Sequence, residues 1–357
     1  MAEFAYEPEP ELRLAPGESI REISGRSPWA IAGRRLVRNR IAMAALALFV
    51  VIVVLSFLAP VYAHHIAHTD PFVSNLSGTT EVNGRQVEVI QQGGAGLGLG
   101  ETPIGPTWHA NYFLGADQQG RDVMARLFYG GRASLIVGVG SAVICSLAAL
   151  LLALIAGFFR GWSDTVLSRI MDLIWAFPVY LLAISLATVL LVQGIELGPI
   201  TIDAGSLWLP AVIIGLIYVP YLARPVRGEV LSLRRQEFVD AAIAQGASNP
   251  RLVFGELLPN VAPVLIVFLP LIIATNILTE SALSYLGIGV QAPDASWGSI
   301  VEDGQSLLYT RPWVSIAPGI MIVLTVLALN VIGDGVRDAL DPRGRLRVRR
   351  RRLRRAA

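Results

Sequence analysis

The residues that could carry out chemistry are few in this chain, and their types exclude several classes of enzyme. All 29 basic residues are Arg, so no Lys is present for a phosphate-binding GxxxxGK(S/T) loop or for a Schiff base. The single cysteine, Cys145, allows neither an internal disulfide nor a Cys-based zinc site. The His and Ser residues form no HExxH motif and no triad-like arrangement. The sequence therefore predicts that the chain is not an enzyme and that another protein hydrolyses any ATP.

Three histidines, His64, His65 and His68, lie close together in the sequence and raise the question of a metal site. No further ligand accompanies them at a recognised zinc-binding spacing. We therefore expect no metal site here, and we expect the chain to bind no cofactor of its own.

The elements that must position any functional residue are membrane spans. Of 357 residues, 54% are hydrophobic and only 16% are charged, and the mean hydropathy is +0.57, which is unlike an ordinary soluble domain. A bilayer core about 30 Å thick requires roughly 20 apolar residues in a helix. Because lipid offers the backbone no hydrogen-bond partners, we predict an all-α integral membrane protein with six transmembrane helices. The six stretches, each without Asp, Glu or Arg, are residues 41–59, 133–159, 173–195, 204–223, 257–279 and 312–333.

The positions of the Arg residues predict which way the spans face. Arg34, Arg35, Arg38 and Arg40 precede the first span and place the N-terminus in the cytoplasm by the positive-inside rule. Alternation of six spans also places the C-terminus in the cytoplasm. Its Arg-rich tail either contacts anionic headgroups or acts only as a topology signal. The first apolar stretch is longer than the core of a signal peptide, so we expect an uncleaved anchor.

The segments between and beside the spans complete the predicted organisation. Residues 79–90 alternate around the turn pair Asn83-Gly84, which predicts a β-hairpin insertion in the first external loop. A Gly-rich flexible linker is predicted at residues 91–105. In chain order we predict a disordered acidic cytoplasmic tail (1–33), the first transmembrane helix (34–63), an extracytoplasmic loop with the hairpin and an interfacial helix (64–132), a five-helix core (133–333) and a cytoplasmic Arg-rich tail (334–357).

The most informative segment outside the membrane is a cytoplasmic loop within the core, residues 224–256. Residues 237–246 are predicted to form a short helix that Gly246 ends. A second helix, capped by Asn249, follows it as far as Pro259. Such a pair of helices projects from the membrane into the cytoplasm.

The first helix of this loop combines small side chains (Ala241 and Ala242) with acids (Glu237 and Asp240). Small side chains allow a helix to enter a groove in another protein closely, which predicts a docking helix. The alternative is an amphipathic helix on the membrane surface. The acids disfavour that alternative because anionic headgroups repel them.

The same loop resembles the EAA signature of ABC importer permeases, over residues 237–246 and the following Leu257-Leu258-Pro259-Asn260. Other stretches are similar to the dipeptide/oligopeptide/nickel family, and specifically to its C-type permease subunit. They occur in order along the chain, and the resemblance runs from about residue 34 to residue 343. These stretches are residues 114–123, 176–178, 280–291, 296–298 and 333–343.

This resemblance implies a type I ABC importer permease with the MetI-like fold in a bacterial inner membrane. The chain is then expected to form a heterodimer with a sister permease and to contact lipid but no nucleic acid. Two cytoplasmic ATPases would use ATP and Mg²⁺, and an extracytoplasmic binding protein would deliver peptides. Nickel or another small solute is the alternative cargo. An ion-coupled secondary transporter is disfavoured, because the six spans as bounded contain no ionisable residue for a relay.

The resemblance also assigns roles to residues of the cytoplasmic loop. ATP-driven closure of the ATPases would push the rigid helix and move the spans between inward- and outward-facing states. The family usually has Glu where this chain has Asp240, and the N-terminal tail and residues 79–105 exceed the family core. The residues expected to couple to the ATPases are Glu237, Phe238, Asp240, Ala241, Ala242, Gly246 and Pro259.

On the outer side, three charged residues, Asp117, Arg121 and Asp122, precede the second span. One interpretation is an interfacial helix whose ion pairs are satisfied internally. The other is a docking surface for the binding protein, since clusters of charge at a surface also steer partners. The sequence leaves both interpretations open.

Overall fold

A computed structural model describes residues 28–82, 84–92, 100–159, 161–198 and 200–340. Most of the predicted acidic tail, part of the predicted linker and most of the Arg-rich tail lie outside these ranges. The described chain is mostly helical, with three small two-stranded sheets.

The first apolar stretch belongs to a series of consecutive helices rather than to one helix over residues 34–63. Asn39 interrupts the series, because its backbone is extended (ψ 98°) and its side chain accepts a 3.2 Å hydrogen bond from the Ala42 N–H as an N-cap. The elements of this series are α1 (Pro28–Arg38), α2 (Arg40–Phe57), the one-turn helix α3 (Ala59–Val61) and a π-helical turn (Tyr62–Ala67).

The centre of the fold is α4 (Val123–Phe159), which packs against α2 and against most of the later helices. At about 1.5 Å per residue, a helix of this length extends well beyond a bilayer core of about 30 Å. Glycine allows its closest contacts: a Cβ at Gly138 would overlap Ile277, and one at Gly157 would lie 2.6 Å from Val230 Cγ1. Small residues at such positions let transmembrane helices approach closely.

Two pairs of consecutive helices are bent, by 90° in the first pair and by 47° in the second. Pro178 explains the first bend, because the residue before a proline is disfavoured in the helical conformation. Phe177 is accordingly extended, at φ −87° and ψ 141°. The span predicted over residues 173–195 is therefore interrupted within its length. The first pair is α5 (Trp162–Ala176) with α6 (Val179–Gln193), and the second is α7 (Trp208–Ile217) with α8 (Val219–Leu233).

The loop that carries residues 237–246 and the last long helices follow α8. Asn249 is the first residue of its helix and not the predicted N-cap, since Ser248 has the extended backbone of a cap position (ψ 157°). The elements are α9 (Glu237–Ala244), α10 (Asn249–Arg251), a π-helical turn (Leu252–Leu257), α11 (Leu258–Tyr285), α12 (Trp297–Asp303), a 3-10 turn (Gln305–Leu307) and α13 (Trp313–Leu340).

Four helical segments of the described chain are long and apolar enough to cross a membrane, and the number rises to six if each bent pair forms one span. The chain is therefore a multi-pass membrane protein with four to six candidate spans. The four segments are Arg40–Phe57, Val123–Phe159, Asn249–Tyr285 and Trp313–Leu340.

Small sheets lie in the connections between helices. In the segment where the sequence predicts a hairpin, two strands pair antiparallel with Val82 opposite Arg85. Another pair, with Ile90 opposite Pro103, orders both ends of the predicted linker. A small apolar core that includes Val89 supports these strands. The strands are β1 (Thr79–Val82), β2 (Arg85–Glu88), β3 (Ile90–Gln92), β4 (Glu101–Pro103), β5 (Ile195–Leu197) and β6 (Ile200–Ile202).

Candidate functional site

Helix α9 is held on the body of the protein by one face and leaves the other face open. Val239 is almost completely buried and belongs to the same apolar cluster as Leu252 and Leu257, on the π-helical turn. Ala242, three residues after Val239, is half-buried against this cluster. The spacing of three residues places both side chains on one face of the helix. The helix is therefore fixed in orientation with respect to α11.

Gly246 ends α9 in the way that the sequence predicts. Its backbone is left-handed, with φ +80°, a conformation that residues with a Cβ adopt only with strain. The Gly246 N–H donates to the Ile243 carbonyl at 2.9 Å, and the Ala247 N–H donates to the Ala242 carbonyl at 3.0 Å. These two bonds form a Schellman motif, which satisfies the last carbonyls of the helix and sets the direction of the chain beyond it.

The face of α9 that points away from the body carries most of the residues assigned to coupling. Glu237, Asp240 and Ala241 are exposed, as are Gly246 and Pro259 nearby. Three large apolar side chains in the loop are also exposed: Phe238 by 38%, Ile243 by 54% and Phe254 by 66%. We call the exposed residues Glu237, Phe238, Asp240, Ala241, Ile243 and Phe254 the coupling surface.

The helix that leads into α9 is tied to α5 by ion pairs. Arg227 of α8 donates to both carboxylate oxygens of Asp164, at 2.5 and 2.6 Å. Arg224 donates to Asp172 at 2.9 Å and lies over the Trp175 ring, 5.6 Å from its centroid. A bidentate Arg–carboxylate pair fixes geometry as well as distance. These pairs therefore hold α8 against α5, the first helix of the bent pair α5–α6.

At the start of α4, a closed ring of ion pairs joins Asp117, Arg121, Arg126 and Asp303. Oδ2 of Asp117 accepts from Arg121 at 2.7 Å and from Arg126 at 2.9 Å. Oδ2 of Asp303 accepts from the same two arginines, at 3.1 and 2.7 Å. Burial raises the pKa of the Asp117 carboxyl, and the Arg121 charge opposes that rise. The ring joins the extracytoplasmic loop to α4 and to the end of α12.

Asp122 is the N-terminal cap of α4. One carboxylate oxygen accepts from the Met124 and Ala125 N–H groups at 2.8 and 3.1 Å, and the other accepts from the Tyr112 N–H at 2.8 Å. Burial raises the pKa of the Asp122 carboxyl, and these backbone hydrogen bonds oppose the rise. Asp122 and Asp117 are thus both buried.

Residues 115–122, which carry the outer charges named above, form no helix. The segment is a turn closed by a bridge between Ala116 and Asp122. Gly115 and Gly120 have φ values of +88° and +73°, which an α-helix does not accommodate. The charges of Asp117 and Arg121 consequently face one another rather than solvent.

Glu280 is a buried residue that the sequence reasoning missed. The predicted fifth span ends at residue 279, but α11 continues to Tyr285, so Glu280 lies inside the helix and is fully buried. The stretch 257–279 contains no ionisable residue, but the helix that includes it extends past that stretch and contains Glu280. The available signal was the spacing of Glu280, Ser281 and Ser284, which places hydroxyls one residue and one turn from the carboxyl group.

The carboxyl group of Glu280 is surrounded by hydroxyl groups. Ser134 of α4 donates to Oε2 at 2.8 Å, and Ser284 donates to Oε1 at 2.6 Å. Ser134 also accepts from the Trp297 N–H at 3.2 Å, and Ser284 accepts from the Val290 N–H at 3.0 Å. No salt bridge to Glu280 occurs among the described residues. This cluster links α4, α11 and α12.

Of the three neighbouring histidines, His64 and His65 lie in the π-helical turn and His68 follows it with a left-handed backbone (φ 51°). Within the described ranges, no three or more His, Cys, Asp or Glu side chains are grouped so that they could hold a metal ion.

Comparison with known proteins identifies relatives along nearly the whole chain. Residues 149–346 match the family described as binding-protein-dependent transport system inner membrane component. Residues 27–77 match the N-terminal transmembrane domain of oligopeptide transport permease C.

Individual relatives align with this chain over most of its length and over most of their own length. The dipeptide transport system permease protein DppC of Alkalihalophilus pseudofirmus is 35% identical and covers 94% of this chain and 95% of its own. The oligopeptide transport system permease protein OppC of Escherichia coli K12 is 33% identical, and the match covers 91% of this chain and 94% of OppC. The glutathione transport system permease protein GsiD of Pectobacterium atrosepticum is 32% identical, and the match covers 92% of this chain and 96% of GsiD.

A solved structure of the MetNI methionine ABC transporter, in an inward-facing conformation, contains a chain of similar fold. The TM-score is 0.51 and the sequence identity is 18%, over 61% of this chain and 97% of that one. At this identity the similarity concerns the fold alone.

Proposed function

The chain belongs to the family of binding-protein-dependent transport system inner membrane components, and we propose that it is the C-type permease subunit of an ATP-driven importer of di- and oligopeptides. Dipeptide and oligopeptide transport permeases at 33–35% identity over more than nine tenths of the chain support this cargo class. The chain is a transport permease and not an enzyme. Nickel and small solutes such as glutathione are the alternative cargoes, and a glutathione permease is among the relatives.

The observation that carries the ATPase partnership is the coupling surface. It presents exposed apolar side chains beside acids on a helix that the protein body holds rigid. Aromatic side chains, Phe among them, are enriched in protein interfaces relative to the rest of the protein surface. We infer that two ATPase subunits, which bind ATP and Mg²⁺, carry grooves that receive this helix and its counterpart on a sister permease. Force would then pass from α9 through α8 to α5 along the Arg227–Asp164 pair.

We further propose that each bent helix pair completes one span, giving six, with both termini in the cytoplasm of a bacterial cell. The β1–β2 hairpin then decorates the extracytoplasmic loop, on the side where a substrate-binding protein arrives. Asp117, Arg121 and Asp122 would serve its docking indirectly, by holding the outer surface in shape. Support for this role comes from the ion-pair ring, which joins that loop to α12.

Purification of the tagged chain in mild detergent, with mass spectrometry of bound proteins, tests the assembly. We expect two P-loop ATPases and a second six-span permease. ATP-dependent uptake of a radiolabelled dipeptide into vesicles, compared with uptake of nickel and of glutathione, tests the cargo. Recovery of the chain alone, folded and monodisperse, would contradict the proposal that it is an importer subunit. Helix α9 would then be interpreted as a helix on the membrane surface.

A second candidate function, ion-coupled secondary transport, is favoured by one observation. A carboxyl group buried within a membrane-spanning helix, such as that of Glu280, is the feature on which proton relays depend. Uptake into vesicles, measured with and without ATP and a protonophore, separates the two functions.

A further inference from the structure

A cavity of about 350 Å³ lies at the outer end of α4. Its walls come from four separate parts of the chain: the extracytoplasmic loop, α4, the start of α7 and the connection between α11 and α12. The volume is at the lower end of the range for small-molecule sites. The lining residues are Phe72, Tyr129, Arg132, Ala133, Ile136, Leu207, Asp294 and Ala295.

Helix α4 supplies one wall of this cavity as a continuous stripe. Tyr129, Arg132, Ala133 and Ile136 are spaced by three, one and three residues, which places them on a single helical face. The stripe runs from a polar outer end to an apolar inner end. It lies where the loop that precedes α4 meets the apolar part of that helix.

Two opposite charges line this cavity, and each lacks a partner. Arg132 and Asp294 make no hydrogen bond or ion pair with another residue of the described chain. The nearby outer charges behave differently, since Arg121, Arg126 and Asp303 are all paired within the ring. A free guanidinium binds carboxylates in a bidentate geometry, and a free carboxylate binds an ammonium group.

Aromatic side chains provide the apolar part of the cavity. The rings of Phe72 and Tyr129 pack edge to face, with centroids 4.8 Å apart. Such a pair offers apolar contact area, and its ring faces attract cations. Leu207 and Ile136 extend the apolar lining. The cavity therefore combines one positive group, one negative group and an apolar wall.

We propose that this cavity is an entry subsite for the zwitterionic end groups of a short peptide. Arg132 would bind the terminal carboxylate and Asp294 the terminal ammonium, while the aromatic pair contacts a side chain. The two end groups are both ionised near pH 7, because their pKa values are about 3.5 and about 8. A site that reads end groups accepts many side chains, as an importer of mixed peptides requires. The inference rests on the proposed peptide importer and deepens it.

Equilibrium dialysis of radiolabelled Ala-Phe against the purified, complete transporter complex, without binding protein, tests this subsite. We expect saturable binding, with N-acetyl-Ala-Phe and Ala-Phe-amide competing at least about tenfold more weakly, since each lacks one charge-assisted contact. Arg132→Gln and Asp294→Asn should each weaken binding of Ala-Phe by about tenfold or more. The exchange Arg132→Asp with Asp294→Arg should restore part of the binding.

Matched controls are Arg85→Gln and Glu81→Gln, which remove exposed charges from the β1–β2 hairpin outside the cavity. They should bind Ala-Phe as the wild type does. Absence of saturable binding in the wild type, or wild-type binding by both cavity variants, would overturn the proposal. A third result would also overturn the proposal: phosphatidylethanolamine co-purifies with the wild type but not with Arg132→Gln, and Ala-Phe does not bind. The cavity would then hold a lipid headgroup. ATP-driven dipeptide uptake is measured in parallel. If uptake is normal but Ala-Phe does not bind as expected, the subsite proposal is wrong and the proposed importer function is retained.

Discussion

Ser134 of α4 donates a 2.8 Å hydrogen bond to Oε2 of Glu280 of α11, across 146 residues of sequence. The same serine accepts the N–H of Trp297, whose indole N–H donates to the Leu127 carbonyl of α4 at 3.0 Å. The first residue of α12 is thus fixed to α4 at two points, and Asp303 at its other end is fixed to α4 through Arg126. Helix α12 therefore moves together with α4.

Removing the carboxyl group should loosen this junction. Glu280→Ala leaves the buried hydroxyl groups of Ser134 and Ser284 without their acceptor, at a cost of about 1–3 kcal/mol in unfolding free energy. Thermal unfolding of the detergent-solubilised chain measures the loss. Glu280→Gln, which keeps an acceptor oxygen and the shape of the side chain, is the matched control and should lose less. Equal stability of Glu280→Ala and the wild type would contradict the role assigned to these hydrogen bonds.

The same Gln variant separates the two candidate functions. If the chain is an ATP-driven importer, Glu280→Gln should retain ATP-dependent peptide uptake and remain insensitive to a protonophore, because no proton passes through the residue. An ion-coupled carrier would lose uptake in this variant, and its wild type would lose uptake in the presence of the protonophore. Uptake into vesicles with and without ATP and protonophore decides between them.

The Schellman motif at Gly246 should be needed for coupling. Gly246→Ala places a Cβ on a left-handed residue, which costs roughly 1–2 kcal/mol and shifts the end of α9. We expect reduced uptake per ATP hydrolysed, and Gly246→Trp should uncouple more strongly. The control is Gly228→Ala, because Gly228 lies inside α8 with open space around its Cβ position. Normal coupling in both Gly246 variants would contradict the assignment of this helix.

Phe238 on the coupling surface should contribute to binding of the ATPase subunits. Truncation to Ala removes an exposed ring that a groove would bury, and we expect affinity to fall by about tenfold, or about 1.4 kcal/mol. Asp240→Arg reverses the charge at a second position of the coupling surface and should uncouple ATP hydrolysis from peptide uptake. The ratio of ATPase to permease after affinity purification measures the first effect. Leu76→Ala is the control, since Leu76 is 58% exposed in the extracytoplasmic loop, and it should leave the ratio unchanged.

The ion-pair ring should stabilise the outer part of the protein. Asp117→Asn keeps the size of the side chain but leaves Arg121 and Arg126 with a single carboxylate partner, Asp303. Removing one partner of a buried ion pair costs about 3–5 kcal/mol, so the melting temperature should fall clearly. Arg85→Gln, at an exposed position, should melt like the wild type. A melting temperature unchanged by Asp117→Asn would show that the ring contributes little.

The single cysteine makes the orientation directly testable. Cys145 is buried in α4, so a membrane-impermeant maleimide should not label the wild type in intact cells. Arg85→Cys should be labelled from outside, whereas Gln245→Cys should be labelled only after the membrane is permeabilised. The reverse pattern would invert the proposed topology.

Local features of the sequence were sufficient to predict the apolar stretches, the short helix over residues 237–246 and its end at Gly246. Each depends on composition, periodicity or one residue's backbone preference within a few positions. The family resemblance likewise rests on contiguous motifs, and the relatives confirm it.

Tertiary structure alone decided which charged residues are free and which are paired. Asp117 and Asp303 are brought onto the same two arginines although they are far apart in the chain, whereas Arg132 and Asp294 line one cavity without pairing. The extension of α11 past Glu280 depends in the same way on Ser134 of another helix. The free energy of a charged or polar group depends on burial and on partners that folding brings from distant segments. Residue type and spacing therefore identified the apolar stretches and the short helix that Gly246 ends, while the packing of distant helices determined the environment of each charge.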